Sequence, residues 1–238
     1  MADVLVLGLG YAGSAIARLA EKRGLSTFGT RRRDGPLTAE LLRPHLSANT
    51  HVAVCFPPDG VTDAAIAPVL RDYPITYLSS TGVYGDGVID DTTPPLENPR
   101  REAEKIWQAV HATVLRCPAI YGPDRGIHVR IQRGEYKIGG DGDQFTSRIH
   151  VDDLARLVLA TRNVRGEAFV VGDAAPATQN EICAWVAAEY GVPMPPHVPL
   201  EEVHVTLRGN RRVDGSRALR VLGVTLEYPT YREGLKKT

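Results

Sequence analysis

The sequence predicts an α/β chain, a Rossmann-type doubly wound parallel sheet with a small C-terminal lobe. Three observations predict it. Short apolar runs alternate with amphipathic helical stretches, the first run ends in a Gly-x-Gly-x-x-Gly turn, and 238 residues are enough to bury one large core.

The first run, Val4 to Leu7, leads straight into Gly8, Gly10 and Gly13. Gly8 permits a tight turn, Gly10 lets the backbone approach a pyrophosphate, and Gly13 allows close helix–strand packing. A helix beginning near Ala12 aims free N–H groups and its positive dipole end at the anion. Ala15, Ile16, Leu19 and Ala20 form its apolar face, Gly24 caps it, and Leu25 to Thr30 is the second strand. That completes a βαβ opening of about 30 residues. A glycine-rich turn alone is a weak signal; in this setting Gly8, Gly10, Tyr11, Ala12 and Gly13 are expected to hold a dinucleotide.

The second strand ends at Thr30 and is followed by Arg31-Arg32-Arg33, with the first acid, Asp34, only behind them. Sites that select NAD place an acid there, whereas guanidinium forks suit a 2′-phosphate. Thr30, Arg31 and Arg32 are therefore expected to favour NADP(H) over NAD(H); a solvated basic turn is the alternative. The third strand, Val52 to Phe56, closes at Pro57-Pro58. Phe56 and Pro57 are placed to pack on the cofactor, or the prolines simply end the strand. A crossover helix spans Thr62 to Asp72, interrupted or started late by Pro68. The fourth strand is Ile75 to Ser80, which places Ser79 beside the cofactor. A Ser80 hydroxyl at the carboxyl end of a central parallel strand sits in the ligand crevice and can donate to a developing alkoxide.

Composition narrows the function classes. Twenty-eight basic and 28 acidic residues leave no global field for nucleic acid or an anionic membrane, so a small-molecule substrate is expected. Cys55, Cys117 and Cys183 lack metal-ligand spacing, so no metal site is expected and buried thiols in a reducing compartment are. The first apolar run is too short to span a membrane and has no basic leader, which points to a cytoplasmic protein.

The run Ser79-Ser80-Thr81-Gly82-Val83-Tyr84-Gly85, downstream of the glycine turn, resembles the short-chain dehydrogenase/reductase superfamily. It is most similar to the extended and atypical branches related to NAD-dependent epimerases and dehydratases. The acidic, proline-rich loop from Asp90 to Pro99 follows in the expected order. So do Leu115 to Pro123 and Arg148-Ile149-His150-Val151-Asp152-Asp153-Leu154-Ala155. The resemblance implies that Ser80 contacts the substrate oxygen, that Pro118 to Ile120 hold the carboxamide edge of the nicotinamide, and that a homodimer forms through the helices after strands four and five.

One departure is plain. The family's acid/base Tyr is followed four residues later by Lys, and a Glu often lies four beyond; aligning that Glu with Glu104 puts Arg100 at the Lys position and Leu96 at the Tyr position. Arg100 can keep the ribose contact, but Leu96 supplies no proton. Tyr84 and Tyr121 are the phenols nearest the crevice, with Tyr84 either the replacement acid or a packing residue. Near the end of the strands, His150 beside Asp152 and Asp153 suggests a catalytic pair, but N-capping explains the acids better. A sixth strand, Ala168 to Asp173, and a capping box, Thr178 to Glu181, complete the pattern.

Residues 1–173 are thus expected to form the dinucleotide domain, with 124–147 a loop-rich cover over the cleft, and 174–238 a small substrate lobe. The expected activity is an NADP(H)-dependent oxidoreductase or epimerase-like reaction on a small carbonyl, hydroxyl or sugar-type substrate, with Ser80, Tyr84 and Arg100 as candidate catalytic groups. A cofactor-binding sensor or scaffold, or a non-redox isomerase or cyclase, is the alternative.

Overall fold

The computed structural model describes residues 1–236. Six parallel strands form the central sheet: β1 (Val4–Leu7), β2 (Thr27–Thr30), β3 (His51–Val54), β4 (Ile75–Ser80), β5 (Thr113–Cys117) and β6 (Ala168–Val170). Their order across the sheet is β6-β5-β4-β3-β1-β2. The direction of winding reverses between β1 and β3, and at such a switch point a doubly wound sheet opens its ligand crevice.

Alternation along β1 shows why the sheet needs helices on both faces. Val4 and Val6 face one apolar cluster while Leu5 and Leu7 face another. The first cluster is covered by α1 (Tyr11–Lys22), α6 (Val151–Ala160) and α8 (Ser216–Leu222). The second is covered by α3 (Val61–Leu70) and α4 (Pro99–Gln108), and the one-turn α2 (Ala39–Leu42) adds Leu42 to it. Trp107 fixes α4 to α3, since its indole N–H donates to the buried Asp63 carboxylate at 2.7 Å and its ring stacks on Tyr77. Pro68 lies inside α3 and does not interrupt it.

Several boundaries differ from the sequence expectation. The second strand starts at Thr27, because Ser26 is tied to Asp3 through its amide and its hydroxyl. The sixth pairs only through Val170. The α1 cap is Arg23, with Gly24 following at φ +76°. His150, rather than either acid, caps α6: its Nδ1 accepts from the Asp152 amide, while Asp153 turns inward and accepts the amides of Glu227 and Tyr228 at 2.7 and 2.9 Å. A buried carboxylate that clasps two chain-distant amides is spent on tertiary structure.

The lobe has its own core. Helices α5 (Ile127–Gln132), α7 (Gln179–Tyr190) and α9 (Tyr231–Gly234) pack around Tyr121, Ile131, Ile182, Val186 and Leu235. The capping box that starts α7 is present, with Thr178 and Glu181 each accepting the other's amide. Two short pairings lie outside the main sheet: Ala119–Tyr121 runs parallel to Arg148–His150, and Gly87–Ile89 runs parallel to Arg211–Val213, the second tying the C-terminal residues to the turn after β4. No helix among the described residues is long and apolar enough to cross a membrane.

Candidate active site

All six strands are parallel, so their carboxyl ends converge on one edge. Gly8 follows β1, Thr30 and the arginines end or follow β2, Phe56 and Pro57 follow β3, Ser79 and Ser80 end β4, and Pro118 and Ile120 follow β5. Residues that are far apart in the sequence thereby come to one edge of the sheet.

The glycines answer to three different neighbours. Gly8 has φ +102°, and a Cβ there would come within 2.8 Å of the Phe56 amide nitrogen at the switch point. At Gly13 a Cβ would lie 2.1 Å from the Gly8 carbonyl oxygen. At Gly10 a Cβ would meet nothing within 4 Å, so this glycine faces open space in front of α1. No side chain caps that helix, which leaves its first N–H groups free to bind an anion. Tyr11 in the first turn lies under the Arg125 guanidinium, 5.1 Å from the ring centroid, and its phenol is pushed up to about 12 by burial and by the Asp124 carboxylate beside it. Ala12 packs against the sheet.

At the end of β2, Thr30 is buried while Arg31, Arg32 and Arg33 are exposed. Asp34 does not pair with their side chains; it folds back to accept the Arg31 amide at 2.7 Å. The three guanidinium groups thus have no acid partner among the described residues. Phe56 lies beyond the end of its strand, edge-on to Trp107.

The carboxyl end of β4 separates its two serines. Ser79 is buried beside Glu104. Ser80 Oγ accepts the Gly82 amide at 3.0 Å, which leaves its proton free to donate. Arg100, in the first turn of α4, makes no hydrogen bond or ion pair among the described residues; burial raises the pKa of Tyr77 and Cys117, and the Arg100 charge opposes that rise, which puts it on their side of the sheet. Its neighbour Arg101 instead pairs with Glu104. Leu96 is 55% exposed, hydrogen-bonded through its amide to Val83 and packed near Gly85.

Tyr84 is not brought to the crevice. It is 2% exposed, and its hydroxyl accepts from Arg116 Nη1 at 2.6 Å. Arg116 in turn donates from Nε and Nη2 to the two oxygens of Glu104, each at 2.9 Å. Burial alone would raise the Glu104 carboxyl, but the Arg116 hydrogen bonds and charge outweigh it and hold it below the usual range. Tyr121 lines the cleft but is also buried, with its hydroxyl directed at Gly234. His150 lies tilted against Tyr228, with ring centroids 3.7 Å apart, and edge-on to Tyr121, and burial lowers its pKa.

Between this edge and the lobe lies a cavity of about 520 Å³, lined by Pro118 and Ile120 on one side and by α5 and the 145–148 segment on the other. Arg125, Arg130, Arg133, Arg148 and Arg211 line it, against the single carboxylate Asp124. Sequence reasoning did not pick out Arg148. The signal available was an arginine in a short strand between Ser147 and the apolar Ile149. No cluster of metal-ligating side chains occurs among the described residues.

The architecture is that of the epimerase and dehydratase folds. A dTDP-glucose 4,6-dehydratase from Bacillus anthracis solved with NAD is 16% identical, with a TM-score of 0.79 over 98% of this chain and 94% of that one. A human epimerase family protein solved with NADPH is 17% identical, with a TM-score of 0.76 over 98% and 97%. A functionally unknown conserved protein from Silicibacter pomeroyi is 30% identical, with a TM-score of 0.79 over 98% of this chain and 96% of its own. This chain belongs to the same family as that Silicibacter protein. No family model and no curated protein matches the sequence.

Proposed function

We propose that the chain binds NADP(H) at the β1–α1–β2 edge and acts as an oxidoreductase or epimerase-like enzyme on a small hydroxyl or carbonyl compound held in the cavity. The observation that carries this reading is the convergence, at one edge, of an uncapped helix start, an open Gly10 and three arginines without acid partners. An anion bound there gains backbone donors and a helix dipole, and a 2′-phosphate gains guanidinium forks. The NAD- and NADPH-bound neighbours of the same fold support a nicotinamide cofactor. When bound, that cofactor supplies hydride exchange.

The chain's own residues do the rest. Ser80 would donate its free proton to the substrate oxygen, Arg100 would supply positive charge on the β4–α4 side, and Pro118 to Ile120, which line the cavity, would hold the nicotinamide. Titration by fluorescence should show NADPH binding about tenfold or more tighter than NADH, with Arg31→Ala removing most of that preference. Equal affinities in the parent protein would remove the 2′-phosphate argument. Turnover of NADPH with a panel of sugars, aldehydes and ketones should fall about a hundredfold in Ser80→Ala.

Leu96 at the acid position and the locked Tyr84 phenol favour one other reading, a cofactor-binding sensor. Tight NADPH binding with no turnover on any member of the panel would select it.

A further inference from the structure

The five arginines of the cavity are not equivalent. Arg125 lies over Tyr11, Arg130 over Tyr136 at 5.0 Å, Arg211 donates to the Gly85 carbonyl at 3.0 Å, and Arg133 is exposed. Arg148 is 5% exposed; its guanidinium lies over the Tyr231 ring, 5.5 Å from the centroid, and its Nη2 donates to Thr146 Oγ1 at 2.5 Å. Its Nη1 is buried with no partner among the described residues.

The carboxyl acting most strongly on it, Asp173, does not pair with it, and burial pushes that acid up to about 7. A guanidinium cannot shed its charge by deprotonating, and a buried one with an N–H left without an acceptor is costly to keep. Such a group is retained where a bound anion completes it. The cavity's volume matches a small ligand, and its four remaining arginines add further positive charge around the entrance.

We propose that Arg148 is the anion anchor of this cavity, and that the molecule bound there carries a carboxylate or phosphoryl group that accepts from its Nη1. This assignment rests on reading the cavity as the substrate site, but not on the identity of the cofactor.

Calorimetric titration tests it, using NADPH-saturated protein so that the pyrophosphate cradle is filled. The probes are glucose, glucuronate and glucose 1-phosphate. Glucuronate or glucose 1-phosphate should bind and glucose should not, and which acid binds tells carboxylate from phosphoryl. Arg148→Met should weaken that binding about tenfold or more, and Arg148→Lys less, with NADPH affinity unchanged in both. Should Arg148→Met fail to fold, Arg148→Lys carries the test: acid binding weakened several-fold with NADPH affinity unchanged supports the anchor, and full acid affinity overturns it. Binding of neither acid, glucose binding as tightly as the acids, or full affinity retained in Arg148→Met would each overturn the anchor. If NADPH itself does not bind, the cofactor reading fails, and the same titrations on the free protein still judge Arg148 against its variants.

Discussion

Two arginines are buried near carboxyl groups in this molecule, and they have opposite fates. Arg116, on β5, is gripped on three sides: both oxygens of Glu104 accept from it and so does the Tyr84 hydroxyl. Arg148, in the short strand beside the cavity, has one hydroxyl partner, the face of Tyr231 and a bare Nη1, while Asp173 also keeps an unpartnered oxygen. The first cluster is closed, joining β5, α4 and the turn after β4. The second is open toward a cavity. Completeness of pairing, more than burial, separates a structural ion pair from a binding group.

Breaking the closed cluster should have the largest effect. Glu104→Gln takes the carboxylate charge from two guanidinium groups, Arg116 and Arg101, and is expected to cost about 3–5 kcal/mol in denaturant unfolding at neutral pH. An unchanged midpoint would mean that the pair is not what holds α4 to the sheet. Because Glu104 is held below its ordinary range, its contribution is present above the unfolded value and is lost as pH falls through the lower folded one.

The open cluster should respond with the other sign. Asp173 is raised by burial from 3.8 to about 7, so the unfolded chain releases that proton first and stability falls as pH rises between those values. Asp173→Asn should therefore flatten this part of the pH–stability curve and stabilise the protein above it by roughly 1–3 kcal/mol. Destabilisation at high pH would show that the carboxylate is paired after all.

The smallest effect belongs to Tyr84→Phe. Losing one acceptor of Arg116 should cost about 1 kcal/mol. It should leave the rate of any NADPH-dependent turnover unchanged. A large loss of rate with little loss of stability would return Tyr84 to the list of proton donors.

Much of the first site could be read locally. Gly8 to Gly13, the strand before them and the arginines behind β2 lie within one βαβ unit, where spacing and geometry coincide. Ser80 was likewise legible as the last residue of a strand. The ion-pair cluster was not. Glu104 was identified through the family resemblance alone, and nothing in the spacing reveals that Arg116 meets it on a neighbouring strand. The same holds for His150, whose adjacent acids suggested a cap; the partner of Asp153 is a pair of amides more than 70 positions away. Arg148 was hidden because its significance is the absence of a partner, which no sequence states.

The parallel pairing of Gly87–Ile89 with Arg211–Val213 has a consequence for how the molecule assembles. Gly87 and Arg211 pair across more than 120 positions, so closing that loop costs chain entropy, and this joint is expected to form late along the folding route. Contacts of such sequence separation form slowly, after the helices and the inner strands have settled. A compound that occupies the cavity therefore acts upon the last joint to form, and would be expected to slow unfolding more than it hastens folding.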